Sequence, residues 1–395
     1  MTRSEGTSTS RPFHFELSTP GRILFGCGRS VEAAPLCLTL SDRVLIVSGS
    51  SSRHSRQIDT ALQGQGAVTS VYSLGREPTV EDVTAAMAQA HSIEAGVVLA
   101  VGGGAVIDLG KAVAAMLPQP APLSNYLEVI GAGQPLDHAS APFIALPTTA
   151  GTGAEATKNA VITSIEHGTK VSLRHASMFP TMAIIDPELS LSLPPETTAA
   201  CGMDALTQLM EAFVTRKAQP LTDALCANAI PLAAQNLPSV FHNGQDLAAR
   251  ERMAYAALSS GIALANAGLG AVHGFAAPIG GLFHAPHGTV CAALLAPVWA
   301  MNLKIILRSS DADCIKRFNL IAQWLTGNPS AGAPDAVHWL QDLSRELQIP
   351  SLRSMGVAAA DLPHISTKAA MASSMKGNPV LLSEAQRMEI LEQAL

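Results

Sequence analysis

A chain of 395 residues that is 48% apolar and 14% charged, with a mean hydropathy of +0.25, carries more apolar material than one small core needs, so two or three domains are expected. The same composition excludes a chain that is disordered throughout. Twenty-five basic residues against 31 acidic ones leave a net charge of −6, which gives no pull toward nucleic acid or an anionic membrane.

The opening stretch MTRSEGTSTSRPF is polar and lacks the apolar segment of a secretory signal, so a polar tail is expected over 1–14. Cys27, Cys37, Cys201, Cys226, Cys291 and Cys314 lie far apart with no C-x-x-C pair, which reads as scattered thiols in a reducing compartment and points to a cytoplasmic location.

Next come short apolar runs alternating with helical patterns. Arg43–Gly49, Val68–Gly75 and Gly96–Val101 read as strands, the first and third as fully buried ones, and Pro142–Pro147 and Met182–Asp186 as two more. Thr79 and Asp82 stand at capping-box spacing and open a helix after the second strand. Strand, helix, strand at these spacings predicts parallel βαβ units with helices on both faces, and hence an α/β domain over 15–194.

From Pro194-Pro195 onward, long Ala- and Leu-rich segments with helical periodicity predict an all-helical domain over 195–395. Ala254–Val272 and Val290–Leu303 are apolar enough to prompt a membrane test. The first contains Ser259, Ser260, Asn266 and three glycines, and the second is broken by Pro297 and short of the roughly 20 residues a span needs. Both read as buried helices, and no membrane partner is expected.

Three constellations carry chemistry. In Val97-VLAVGGGAVIDLGKAVA, the glycines Gly102, Gly103 and Gly104 lie between a strand and a helix start, where backbone N–H groups and the helix dipole favour a phosphate. The spacing is neither G-x-G-x-x-G nor a P-loop, and a tight turn with no ligand is the bland alternative. In Leu146-PTTAGTGAEATKNA, the hydroxyls of Thr148, Thr149 and Thr152 suit ribose, phosphate or nicotinamide contacts, or simply cap the next helix. His273, His284 and His287 fall within fifteen residues of a chain with twelve histidines, where chance would place roughly half of one. With Asp204 as anionic partner, and Gln208 one turn further on the same helix face, two imidazoles suit Fe²⁺ or Zn²⁺ with a position left for a substrate oxygen.

Taken together and in order, Gly102-GGAVIDLGKA, Pro147-TTAGTGAEAT, Ile185-DPELSLSLP, Gly202-MDALTQ and His273-GFAAPIGGLFHAPHG resemble the group III, iron-containing alcohol dehydrogenases, whose fold is that of dehydroquinate synthase. The likeness runs from about Phe15 to at least Asn302. It implies a dinucleotide-binding domain, an all-helical domain, a cleft between them for NAD or NADP and a divalent metal, a small alcohol or carbonyl substrate, and a homodimer, since dimers are common in the family.

It further implies metal ligands at Asp204, His273 and His287. The family's remaining histidine position is occupied by Gln208, so weak or exchangeable Fe²⁺ or Zn²⁺ is expected. Ala277 stands where many members carry a histidine for proton relay, with His284 as a stand-in, and Ala105 replaces the usual serine. Asp108 and Lys111 follow the glycine turn on the same helix, and Lys170 matches a lysine that the family places near the cofactor. At the end of the Arg43–Gly49 strand, Ser48-Gly49-Ser50-Ser51 replaces the acidic residue of NAD-selective members, and Arg53 is in reach of a 2′-phosphate.

The resemblance also embraces maleylacetate reductase, whose dicarboxylate substrate calls for basic residues in the cleft, with Lys304, Arg308, Lys316 and Arg317 as candidates. A metal-independent redox enzyme, or a nucleotide-binding protein with a degraded, non-catalytic site, are the remaining alternatives.

Overall fold

A computed structural model describes residues 14–309 and 311–395, so the polar tail lies outside the described residues except for His14. The first half runs β1 (Arg22–Phe25), α1 (Ala33–Leu38), β2 (Arg43–Gly49), α2 (Arg53–Gln63), β3 (Val68–Leu74), α3 (Val80–Ser92), β4 (Val97–Gly102), α4 (Gly104–Met116), β5 (Phe143–Pro147), β6 (Asn159–Ser164), β7 (Thr169–Arg174) and β8 (Met182–Ile185). Six of these strands form one parallel sheet in the order β1-β8-β5-β4-β2-β3. Val44–Ser48 and all of β4 are buried, as expected of strands covered on both faces. One face packs on α3 and α4 through Leu45, Val47, Ile107 and Val113, and the other on α1 and α2 through Ile46, Leu99, Ile58 and Leu62.

The helix opened by Thr79 forms as the spacing predicts. Asp82 N donates to Thr79 Oγ1, and the Asp82 carboxylate accepts from Thr79 N, closing a full capping box. Two elements add to the sequence reading. Arg22–Phe25 is an edge strand paired with β8, and β6 and β7 make a separate antiparallel hairpin after the threonine-rich loop.

The chain passes from β2 out to β3 and then returns across β2 to β4, so the strand order reverses between β2 and β4. Ligands of open α/β sheets bind outside the carboxyl ends at such a point. Gly49 and Gly102 end those two strands there.

From Pro195 the described chain is helical: α5 (Pro195–Val214), α6 (Pro220–His242), α7 (Leu247–Ala267), α8 (Ala271–Phe283), α9 (His287–Ile306), α10 (Ala312–Thr326), α11 (Ala333–Glu346), α12 (Leu362–Met371) and α13 (Glu384–Ala394). Pro195, Pro220 and Pro334 each sit in a first turn, where the missing N–H costs nothing. Helix α5 runs through the middle of this half, packed on α6, α7 and α9, and most of its residues are buried. Trp299 of α9 stacks on Phe318 of α10, ring centroids 4.3 Å apart, in the same core. Helix α9 is long and apolar enough to cross a membrane, yet most of it is buried in this core.

Candidate active site

One cleft of about 540 Å³ connects the two halves. Gly104, Ala105, Asp108 and Thr152 line it on the sheet side. Asn159, Val161, Lys170 and Arg174 line it on the hairpin, and Gln208, Leu264, His273, Ala277 and His287 on the helical side.

At the sheet end, Thr148 N donates to Gly102 O at 2.9 Å, tying the threonine loop to the glycine turn. A Cβ on Gly104 would lie 2.7 Å from Thr152 Oγ1, and one on Gly103 3.4 Å from Thr149 Cγ2. The close approach of the two loops at Thr152 therefore requires glycine at Gly104, whereas Gly103 makes ordinary contact, and the start of α4 opens into the cleft. Thr152 lines the cleft. Thr148 lies on a separate, much smaller cavity with Thr149, whose side chain bonds Cys201.

Asp108 lines the cleft with its carboxylate engaged. It accepts from Val161 N at 3.0 Å and lies 3.2 Å from Lys111 Nζ. Lys111 is fully buried and donates to Thr157 Oγ1 and Asn159 O, so the pair fastens α4 to β6. Burial pushes Asp108 up and Lys111 down, each opposed by the other's charge. Lys170 lines the cleft, 3.5 Å from Glu77. Ser48 is a correction: it is buried and its hydroxyl is bonded to Gly49 O and Ser55 Oγ, so it has nothing left to offer a cofactor.

At the helical end, α5 presents Asp204, Gln208 and Glu211 on one face, spaced one turn apart. The first turn of α8 supplies His273. Its N-terminus is held by Glu211 Oε1, which accepts from Val272 N at 2.7 Å, and by Asn378 Oδ1, which accepts from Ala271 N. The other oxygen, Glu211 Oε2, accepts from His273 Nδ1 at 2.7 Å, which turns Nε2 toward Asp204 Oδ1 at 3.2 Å. His287 opens α9. A Cβ on Gly288 would stand 2.5 Å from Ala200 O, so only glycine lets α9 begin this close to α5, with His287 Nε2 3.8 Å from Asp204 Oδ1.

Cys291, one turn beyond His287, completes the group. Its Sγ lies 3.7 Å from Nε2 of both histidines, and one ligand atom from each of Asp204, His273, His287 and Cys291 falls within 4.8 Å of the others. Burial opposes ionisation of Asp204, but the charge of His287 and the hydrogen bond from His273 outweigh it and hold the carboxyl below its usual range. His287 is raised to about 9 by the charge of Cys291, against burial and with Asp204 adding. Burial works against a charged His273 as well, yet Cys291 and Glu211 carry it well above the ordinary value. Asp204 Oδ2 is buried with no hydrogen-bond partner, as it would be if it faced a cation.

Gln208 is buried beside this group, with Oε1 2.8 Å from Ser260 Oγ. His284 is not part of the group. It caps α8 in the left-handed conformation (φ 52°), is exposed, and lies outside the cleft lining, so it is no stand-in for a proton relay at Ala277. The basic candidates of the helical half fare likewise. Lys304 pairs with Glu389, Arg317 with Asp223, and none of Lys304, Arg308, Lys316 or Arg317 lines the cleft.

With this geometry in hand, the comparisons are specific. The iron-containing alcohol dehydrogenase profile matches residues 20–187, and the C-terminal profile of the Fe-containing alcohol dehydrogenase family matches residues 198–395. This chain belongs to the iron-containing alcohol dehydrogenase family. It is 36% identical over 317 residues to the probable alcohol dehydrogenase EutG of Salmonella typhimurium, covering 80% of this chain and 76% of that one. The crystal structure of a 1,3-propanediol oxidoreductase superposes with a TM-score of 0.90 at 30% identity, over 97% of this chain and 100% of the other. A sulfoacetaldehyde reductase from Bifidobacterium kashiwanohense, solved in complex with NAD+, superposes with a TM-score of 0.85 at 25% identity, over 97% of this chain and 99% of that one.

The chain is therefore an alcohol dehydrogenase by family, an oxidoreductase with the dehydroquinate synthase-like fold. Four residues at or beside this site escaped the sequence reading. Cys291 lies at i+4 from His287 and Glu211 at i+7 from Asp204, helical spacings that were legible once those two were chosen. Lys217 and Lys376 line the same helical end, but they follow different helices, and no local pattern marks them.

Proposed function

We propose that this alcohol dehydrogenase interconverts an alcohol with an aldehyde or ketone using NAD(P), with a divalent cation held in the interdomain cleft. The observation that carries the reading is the continuity of the cleft, which has a glycine turn at a helix N-terminus at one end and the carboxylate–imidazole–thiol group at the other. A cation and a nicotinamide bound there would supply Lewis acidity toward a substrate oxygen and a hydride donor or acceptor.

The chain's own residues do the positioning. Val106 N and Ile107 N are bonded to Gly103 O, so the backbone N–H groups of Gly104 and Ala105, which line the cleft, would hold a diphosphate, with Thr152 packed against Gly104 as the wall of that turn. Glu211 keeps the Nδ1 proton of His273 and so commits Nε2 to the cation side. Asp204 concentrates negative charge where a cation is wanted, and its buried setting shields that charge from water. The exposed ends of β2 carry no carboxylate, and Arg53 is exposed at the start of α2, which supports acceptance of NADPH alongside NADH.

The test is NADH and NADPH oxidation over a panel of aldehydes and ketones, before and after chelation and metal re-addition. His273→Ala and His287→Ala are each expected to lose at least about 100-fold in kcat/KM. Turnover that survives chelation and both substitutions would point to metal-independent chemistry and overturn the reading.

A second reading, a carbonyl substrate that carries an acidic group, maleylacetate included, is favoured by Lys217 and Lys376. They flank the junction where Arg216 N donates to Gly377 O at the helical end of the cleft. Both are exposed, and neither takes part in an ion pair among the described residues. Replacing both with alanine should raise KM for anionic aldehydes and maleylacetate about tenfold, while KM for neutral aldehydes and for NADH stays put. An equal change for neutral substrates would exclude it.

A further inference from the structure

The position that the family resemblance assigns to a third histidine holds Gln208, and its amide oxygen is 2.8 Å from Ser260 Oγ rather than free. Facing the same space from α9 is the fully buried thiol of Cys291, one turn after His287. We propose that Cys291, and not Gln208, is the fourth protein ligand of the cleft cation, making an Asp204-His273-His287-Cys291 centre suited to zinc. The inference rests on the reading that a cation binds in this cleft.

The argument is geometric. With metal–nitrogen and metal–oxygen bonds of about 2.0–2.1 Å and a metal–sulfur bond of about 2.3 Å, a tetrahedron has N···O edges near 3.3 Å and S···N edges near 3.5 Å. The structure has N···O edges of 3.2 and 3.8 Å and two S···N edges of 3.7 Å, all before any ion draws the ligands in. The unpartnered, buried Asp204 Oδ2 faces the same requirement for positive charge. Chemistry points the same way. A thiolate is a soft donor that suits zinc, whereas an amide oxygen is a hard donor that suits magnesium or manganese. The sulfur binds the metal as thiolate, with no change of oxidation state.

The test uses the full-length protein stripped with a chelator and reloaded with Co²⁺ as a spectroscopic probe, then with Zn²⁺ in competition with a chromophoric chelator. Wild type should show the near-ultraviolet thiolate-to-cobalt charge-transfer band. Cys291→Ser, nearly isosteric, and Cys291→Ala should lose the band and bind Zn²⁺ at least about 100-fold more weakly, more than an outer-shell partner costs. Gln208→Ala should keep the band and most of the affinity. Circular dichroism of the stripped variants separates a lost ligand from a lost fold. A wild-type cobalt complex without the band, or a Gln208→Ala variant that loses metal while Cys291→Ala keeps it, overturns the inference and leaves the cleft-cation reading standing. Wild type that binds neither ion overturns both.

Discussion

Glu211 offers the sharpest test of how the site is held. Its two oxygens accept from two buried donors, His273 Nδ1 and Val272 N, each at 2.7 Å. Glu211→Ala orphans both. At about 1–3 kcal/mol for each unsatisfied buried donor, the stripped protein should lose about 2–6 kcal/mol, a large share of the 5–15 kcal/mol that typical domains possess. Glu211→Gln is the more informative change, because it keeps shape and one acceptor. An amide has one oxygen and one NH₂, so either orientation sets a donor against one of the two donors now satisfied. Backbone N–H cannot adapt, but an imidazole can move its proton from Nδ1 to Nε2, and that blocks the nitrogen that faces Asp204 and Cys291. The expected result is a fold that survives with divalent-cation affinity down about 10- to 100-fold, or about 1.4–2.7 kcal/mol. Competition for Zn²⁺ against a chromophoric chelator measures the affinity, and thermal unfolding of the stripped protein checks the fold. A Glu211→Gln protein that binds zinc as tightly as wild type would refute the idea that Glu211 sets the His273 tautomer.

The remaining expectations concern the frame around the site. Glu155 is buried at 4% exposure, and burial raises its carboxyl from 4.5 to about 7, with Lys111 opposing. Its folded value lies above its unfolded one, so the folded protein is favoured at low pH and loses up to about 3 kcal/mol as pH rises from 4.5 to 7. Glu155→Gln should abolish that slope in urea unfolding between those pH values and be the more stable protein at pH 8; an unchanged slope would contradict it. Gly104→Ala places a Cβ 2.7 Å from Thr152 Oγ1 and should raise KM for NAD(P)H about tenfold. Adding Thr152→Ala, which removes the clashing atoms, should recover part of the loss, and no recovery would mean the turn is not set by that contact. Gly288→Ala meets Ala200 O, a backbone atom of α5 that cannot swing aside, so a stability loss of about 1–3 kcal/mol is expected by thermal unfolding, with weaker zinc binding as His287 is pushed out.

Much of this molecule was legible along the chain because its signals are local. Buried parallel strands read as continuous apolar runs, so Arg43–Gly49 and Val97–Gly102 announced themselves, and Thr79 with Asp82 marked a helix start that a full capping box now accounts for. The short edge strand Arg22–Phe25 and the half-exposed hairpin Asn159–Arg174 gave no such run, because their pairing partners lie far off or their faces are mixed. Among the site residues, His284 and Ser48 read plausibly from neighbours in sequence. They fail because a left-handed cap turns one outward and a local hydrogen bond occupies the other.

By itself, the order of residues determined the sheet, the helical half, the glycine turn and the histidine cluster, since each depends on periodicity or on residue type at close range, whereas Asp204, 69 positions from His273, was joined to them by the ordered motifs that carry the family resemblance. Tertiary structure alone decided what surrounds that site. Glu211 reaches His273 across 62 positions, and Cys291 meets it only because α8 and α9 break at Pro286 and fold back onto α5. Such contacts are set by helix packing and by the absence of one methyl group at Gly288. A one-dimensional pattern does not record which turn of one helix will face which turn of another.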